Sequence, residues 1–278
     1  MNNKLKTGIA HLLPILASLL FGVLCSWLIA SSPLELYRVT PFSEETYGFF
    51  GSFGNAFYFV ILVGVGATIL YVLLKRRNHT LIAIITGFAL TTAAFMLSVI
   101  YAFTIFSRFD IPYADVLIIA VSAFATATTD YAVFKSKSKF AHIVVLCIGG
   151  ALGSFLGFSI PTISAVLILG FLAIYDTFAV YRGPVGKIAR VGLEHFRGLS
   201  FTFRDIQMGL GDLTFYSMLS GHMLLYMGLV PCLVSIVGIL AGCALSFKML
   251  EKKGIFPGLP FPILLGLLGG MLVWLLSP

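Results

Sequence analysis

The chain is poor in charge: only 10% of its 278 residues are Asp, Glu, Lys or Arg, and Asp and Glu together number 11. A soluble domain of this length carries about a quarter charged residues. No stretch is long or polar enough to build a separate soluble domain, so one domain spanning 1–278 is expected. Cysteine is scarce as well. Cys25, Cys147, Cys232 and Cys243 fall inside apolar runs without CxxC spacing, as small buried hydrophobes do, and indicate no redox compartment. Glu194-His195 lacks a second histidine at i+4, so no HExxH metal site exists. His11, His142 and His222 stand alone in or near apolar runs, where packing or interfacial roles outweigh metal binding. The absence of Gly-x-Ser-Gly weakens an intramembrane serine nucleophile, leaving Ser154 and Ser220 to cap or pack helices. Neither a metal nor a cofactor is expected.

What the chain has in quantity is apolar sequence: 59% of residues are hydrophobic and the mean hydropathy is +1.03. Nine apolar segments run approximately over 8–30, 53–74, 80–106, 113–134, 140–159, 161–181, 206–226, 228–247 and 258–277. Most reach the roughly 20 residues that a helix needs to cross about 30 Å of hydrocarbon. The expected fold is an all-α polytopic membrane protein with nine transmembrane helices. The fifth and sixth segments part only near Ser159-Ile160-Pro161, where proline suits a tight turn. The first segment follows Lys4 and Lys6 but exceeds a signal-peptide core, and reads as a retained helix.

All but Arg38 and Arg108 of the 18 basic residues fall at the N-terminus or in even-numbered loops. They are Lys4, Lys6, Lys75, Arg76, Arg77, Lys135, Lys137, Lys139, Arg182, Lys187, Arg190, Arg197, Arg204, Lys248, Lys252 and Lys253. This asymmetry predicts a cytoplasmic N-terminus and an external C-terminus. It also accounts for the net charge of +7 without nucleic acid. The longest cytoplasmic connection, roughly Arg182 to Asp205, has two parts. Gly186 to Arg197 mixes apolar and basic residues as an interfacial segment does. Leu199 to Arg204 alternates with period two, as a short strand or as an irregular loop with membrane-dipping aromatics.

Two aspartates break the apolar pattern, in Tyr175-Asp176 and in Gly209-Leu210-Gly211-Asp212. An ionisable side chain at membrane depth costs roughly 2.5–3.5 kcal/mol on insertion scales, and such residues mark functional sites. On antiparallel sixth and seventh helices the two lie about six and seven residues, or roughly 9 and 10 Å, inside the same boundary. A depth match of that kind is what a shared site requires. Two carboxylates a few ångströms apart share one proton. The ionised one can take a proton from water while the protonated one donates to a carbonyl oxygen, which is amide hydrolysis without a covalent intermediate. Gly209 and Gly211 would let a substrate backbone approach closely, or would simply serve helix packing. Asp130, near the cytoplasmic end of the fourth segment, reads as a solvated helix-end acid, and Asp110 and Asp115 as solvated acids of the external boundary.

These residues carry a resemblance. Tyr175 to Val180 looks like the YD motif of presenilins and signal peptide peptidases, and Gly209 to Leu219 closely resembles their GxGD segment. Pro257-Gly258-Leu259-Pro260 is similar to the family's Pro-Ala-Leu-Pro, with glycine in place of alanine. The motifs occur in the family's order. The resemblance implies that Asp176 and Asp212 are the catalytic pair of an intramembrane aspartyl protease. It implies that Pro257 to Pro260 form an unwound entry to the ninth helix beside that pair. Tyr175, Gly209, Leu210, Gly211, Pro257, Gly258, Leu259 and Pro260 would then line the substrate site. Prolines 257, 260 and 262 resist helix on their own account, although an ordinary proline-marked helix start would read alike.

By the same resemblance, substrates are transmembrane helical peptides of single-pass proteins, cut near their cytoplasmic ends. The short loops suggest a stand-alone microbial, archaeal-type protein of the cell membrane, active without accessory subunits. The rival from another class is a proton- or cation-coupled transporter or channel using the same acids. It would call for internal repeats, which the sequence does not have.

Overall fold

The computed structural model describes residues 9–32, 38–109, 111–135, 139–183, 200–203 and 206–277. The interfacial reading of Gly186–Arg197 lies outside the described residues, as do Lys4, Lys6, Asp110, Lys137, Arg204 and Asp205. The helices are α1 (Leu13–Ala30, after a 3-10 turn Ile9–Leu12), α2 (Glu44–Lys75), α3 (His79–Phe106), α4 (Ala114–Asp130, extended by a π turn Tyr131–Lys135), α5 (Lys139–Ser159) and α6 (Thr162–Tyr181). A two-stranded hairpin, β1 (Ser200–Phe203) and β2 (Ile206–Gly209), precedes α7 (Leu210–Tyr226), α8 (Leu229–Lys253) and α9 (Pro260–Leu276).

Local chemistry sets the boundaries. Pro161, extended at φ −59° and ψ 154°, separates α5 from α6 where the sequence placed a turn. The Asn78 side chain accepts from Leu81 N at 3.1 Å and caps α3. Gly228 and Gly254 hold positive φ, at 100° and 75°, where α8 begins and ends, a region that side chains resist. Two segments differ from the sequence-based outline. α2 starts well before residue 53, across a bend at Gly48. The segment expected to be helical over 206–226 opens as a strand, with Ser200 opposite Gly209 and Phe203 opposite Ile206 in antiparallel register. Strand pairing satisfies the backbone of 206–209, so the helix starts only at Leu210.

Seven helices, α1 to α6 and α8, are long and apolar enough to cross a membrane. The chain is a multi-pass integral membrane protein. Its outer surface is correspondingly apolar, with Phe88, Phe124 and Val116 largely exposed. α9, with 17 residues, is a shorter apolar helix. α7, also of 17 residues, carries Asp212, Thr214, Tyr216, Ser217, Ser220 and His222 and is the centre of the bundle, with Tyr216 through Met223 all buried.

Helices in lipid gain nothing from hiding hydrocarbon from hydrocarbon, so close backbone approach must hold them together. Here α1, α5 and α7 run parallel and touch through small residues four apart. Gly149, Gly153 and Gly157 of α5 face α7: a Cβ at Gly153 would meet Thr214 O and lie 2.6 Å from Ser217 Cβ, and one at Gly157 would lie 2.7 Å from Met218 O. On the other flank of α5, a Cβ at Gly150 would lie 2.7 Å from Ser18 O of α1. Ser18 Oγ donates to Leu146 O at 2.9 Å, and Ser26 and Ser154 share a hydrogen bond at 2.6 Å. α8 and α9 form an antiparallel pair on the same principle. A Cβ at Gly242 would meet Pro262 N, and one at Gly266 would lie 2.7 Å from Ile239 Cγ1.

Several polar groups inside the bundle are paired across helices. His222 Nδ1 bonds Gly157 O at 2.8 Å and its Nε2 lies 3.2 Å from Thr162 Oγ1. Glu44 accepts from Ser52 Oγ at 2.7 Å and from Ser164 N and Oγ at 2.9 and 2.7 Å, tying the start of α2 to the start of α6. Asp130 is not simply solvated: Thr91 Oγ1 of α3 bonds its two oxygens at 3.0 and 2.9 Å. Interhelical hydrogen bonds average only about 0.6 kcal/mol in membranes, so the glycine contacts carry more of the packing.

That conclusion is testable in detergent. Gly153→Val forces a branched side chain against α7 backbone and should destabilise by at least about 1–3 kcal/mol. The thermal unfolding midpoint falls by several degrees. Gly170→Ala, where a Cβ would meet nothing within 4 Å, should leave the midpoint unchanged or raise it. Equal midpoints for the two variants would refute the packing argument.

Candidate functional site

Asp176 lies in α6 five residues before its last residue, Tyr181, about 7.5 Å of helix at 1.5 Å per residue. Asp212 lies in the first turn of α7. The sequence had placed Asp212 roughly two turns inside a longer helix. The strand at 206–209 instead brings it next to the unpaired N–H groups that open any α-helix. Gly209, the N-cap, is extended at φ −77° and ψ 146°, and a Cβ there would lie 3.8 Å from Asp212 Oδ2. The hairpin therefore runs straight into the carboxylate.

The third component comes from the far end of the sequence. α8 stops at Gly254, and Ile255 to Leu259 form no helix before α9 begins at Pro260. Prolines 257, 260 and 262 remove the amide donors a helix would need there. This non-helical strap crosses both aspartates. Leu259 N donates to Asp176 Oδ2 at 3.0 Å. A Cβ at Gly258 would lie 2.8 Å from Asp212 Oδ2 and 3.1 Å from its Cγ. The two carboxylates thus meet the same peptide unit, Gly258–Leu259, one on each of two neighbouring residues.

The other sequence-selected residues divide. Pro257 and Leu259, in the strap, are buried, and Pro260, the first residue of α9, is half-buried. Gly211 is exposed, with nothing within 4 Å of the position its Cβ would take. Leu210 turns into the core, where its Cδ1 would lie 3.3 Å from a Cβ at Gly149. Tyr175 faces α2, with its hydroxyl 3.3 Å from a would-be Cβ at Gly64. The structure joins Asp176, Asp212, Gly209, Gly258 and Leu259, and directs Tyr175 and Leu210 elsewhere.

Sequence reasoning passed over Tyr216. Its hydroxyl donates to Gly258 O at 2.8 Å, and its ring is buried on α7 one turn beyond Asp212. The i, i+4 spacing from Asp212 was the available signal, since those positions share a helix face. Among the described residues no group of three or more His, Cys, Asp or Glu could hold a metal ion.

The chain superposes on two solved structures of a presenilin family intramembrane aspartate protease. The one in space group C222 matches with a TM-score of 0.68 at 21% identity, over 95% of this chain and 97% of that one. The one in space group P2 matches with a TM-score of 0.67 at 22% identity, over 96% and 98%. No protein-family model and no curated protein sequence matches the chain. At this identity the likeness establishes the fold.

Proposed function

We propose that the protein is an intramembrane aspartyl endopeptidase that hydrolyses peptide bonds of transmembrane helical substrates. The observation that carries this reading is the meeting of Asp176 and Asp212 at one backbone segment, Gly258–Leu259. Two acids at one point inside a membrane bundle are costly, and ionisable residues at that depth mark functional sites. In the reaction, water lies between the carboxylates. One carboxylate takes its proton as the oxygen attacks the scissile carbonyl, and the protonated partner donates to the carbonyl oxygen. Collapse of the tetrahedral adduct releases a carboxylate and an amine, using no metal or other cofactor.

A helical peptide bond is shielded by its own hydrogen bonds, so the substrate must unwind locally. The β1–β2 hairpin ends at Gly209 beside Asp212, and an extended substrate adding to its edge would present an open backbone to the pair. Gly209, Gly211 and the strap Pro257–Pro260 would line its path, with Tyr175 and Leu210 supporting the walls. The charge asymmetry supports nine crossings with the N-terminus inside, so that cleavage occurs near the cytoplasmic face of the cell membrane. The parallel runs of α1, α5 and α7, and of α2 with α6, agree with such alternation. No accessory subunit is required in this reading, and the whole chain acts as one membrane domain. A stand-alone, archaeal-type origin accords with the short loops.

Cleavage of a tagged transmembrane peptide by purified protein in detergent tests the assignment. Asp176→Ala and Asp212→Ala should each lose at least about 10²–10⁴-fold in rate while unfolding at the same temperature as the parent. Cleavage at the parent rate by both variants would sink the protease reading and favour ion-flux assays for a transporter. Phe203→Pro, which disrupts the strand pairing, should depress cleavage of the same peptide by about tenfold or more. Full activity in that variant would remove the hairpin from substrate binding.

A further inference from the structure

Gly258 and Leu259 share one peptide bond, and that peptide plane is gripped at both of its polar ends. Its carbonyl oxygen accepts from Tyr216 Oη at 2.8 Å, and its N–H donates to Asp176 Oδ2 at 3.0 Å. In a trans peptide the C=O and N–H point in opposite directions, so fixing one end aims the other. Tyr216 belongs to α7 and Asp176 to α6, so the plane is a polar link between the helices that carry the two acids. Residue 258 is glycine, which lacks the Cβ that restricts backbone rotation, so the strap alone does not fix the plane. Prolines 257 and 260 stiffen its ends but not the plane between them.

We propose that Tyr216 is a positioning residue for the aspartyl chemistry: by holding the Gly258 carbonyl, it aims the Leu259 N–H at Asp176. The inference rests on the protease reading above. Tyr216 itself need not touch the substrate. Its ring is 1% exposed, and its hydroxyl reaches the strap from below Asp212. Charge-assisted and chained hydrogen bonds of this kind strengthen one another in a low dielectric, so loss of the hydroxyl weakens the bond at the far end of the plane.

A double-mutant cycle separates positioning from mere packing. Leu259→Ala removes the side chain and keeps the N–H. Leu259→Pro removes both; the φ of −76° at Leu259 suits proline, and the ring Cδ takes the place of the hydrogen that Asp176 Oδ2 accepts, so the carboxylate must move aside. In the Leu259→Ala background, adding Tyr216→Phe should lower kcat about tenfold with KM within about twofold, as expected for one hydrogen bond of roughly 1.4 kcal/mol. In the Leu259→Pro background the same change should cost less than about twofold, because the bond it supports is already gone. Equal losses in the two backgrounds, or no loss in either, would overturn the proposal. Thermal unfolding in detergent monitors the fold throughout. Should Tyr216→Phe fail to fold, the comparison of Leu259→Ala with Leu259→Pro decides, since equal kcat values would show that the N–H does not serve Asp176. A parent protein that cleaves nothing, or Asp176→Ala and Asp212→Ala variants that cleave normally, would bring down the protease reading and this proposal together. Uncoupled mutants alongside a normal parent would bring down this proposal alone.

Discussion

The structure is organised around the difficulty of keeping two carboxyl groups inside a bundle built for hydrocarbon. An acid at membrane depth must face other protein or a water-lined cavity. α7 carries one of them together with Tyr216, Ser217, Ser220 and His222, and this helix could not face lipid over its length. Its neighbours solve the problem by proximity. The glycines of α5 bring backbone against backbone along α7, and α1 follows α5 in step, from Ser18 at Leu146 to Ser26 at Ser154. Larger residues at those positions would open the gaps that lipid or water would fill.

The same constraint explains the strap. Irregular backbone is tolerated at membrane depth only where protein or a cavity satisfies its polar groups. Residues Ile255 to Leu259 are irregular. The C=O and N–H of their Gly258–Leu259 peptide are both taken, by Tyr216 and Asp176. The tight α8–α9 pairing through Gly242 and Gly266 holds the strap's two ends in register with α7. Packing far from the acids therefore determines where the strap crosses them.

Much of this was legible in the sequence, for identifiable reasons. Apolar run length located the helices, and Pro161 located the break between α5 and α6. Asp176 and Asp212 stood out because nothing in an apolar run accounts for an acid. The start of α7 was misplaced because Ile206 to Gly209 is apolar enough to read as helix, and only pairing with Ser200–Phe203 makes it a strand. That partner showed the period-two alternation of a strand, but nothing in the sequence paired the two segments. Tyr216 was hidden for a different reason. An aromatic in a buried helix reads as packing, and the carbonyl it bonds lies 42 residues away. The glycine triplet Gly149, Gly153 and Gly157 has the spacing of a packing face, but the helix it serves cannot be named without the fold.

Gly258 shows how these levels meet. Where the resembled motif has alanine, a Cβ in this conformation would press on Asp212 Oδ2 at 2.8 Å. Glycine removes that conflict and lets the strap lie directly on the carboxylate pair. The same absence of a side chain frees the peptide plane to rotate. A site that gains close approach through glycine must then take its orientation from somewhere else. In this chain the available anchor is the Tyr216 hydroxyl, one helical turn from the acid that the glycine accommodates. Close approach at residue 258 and an external hold on its carbonyl are thus two halves of one arrangement.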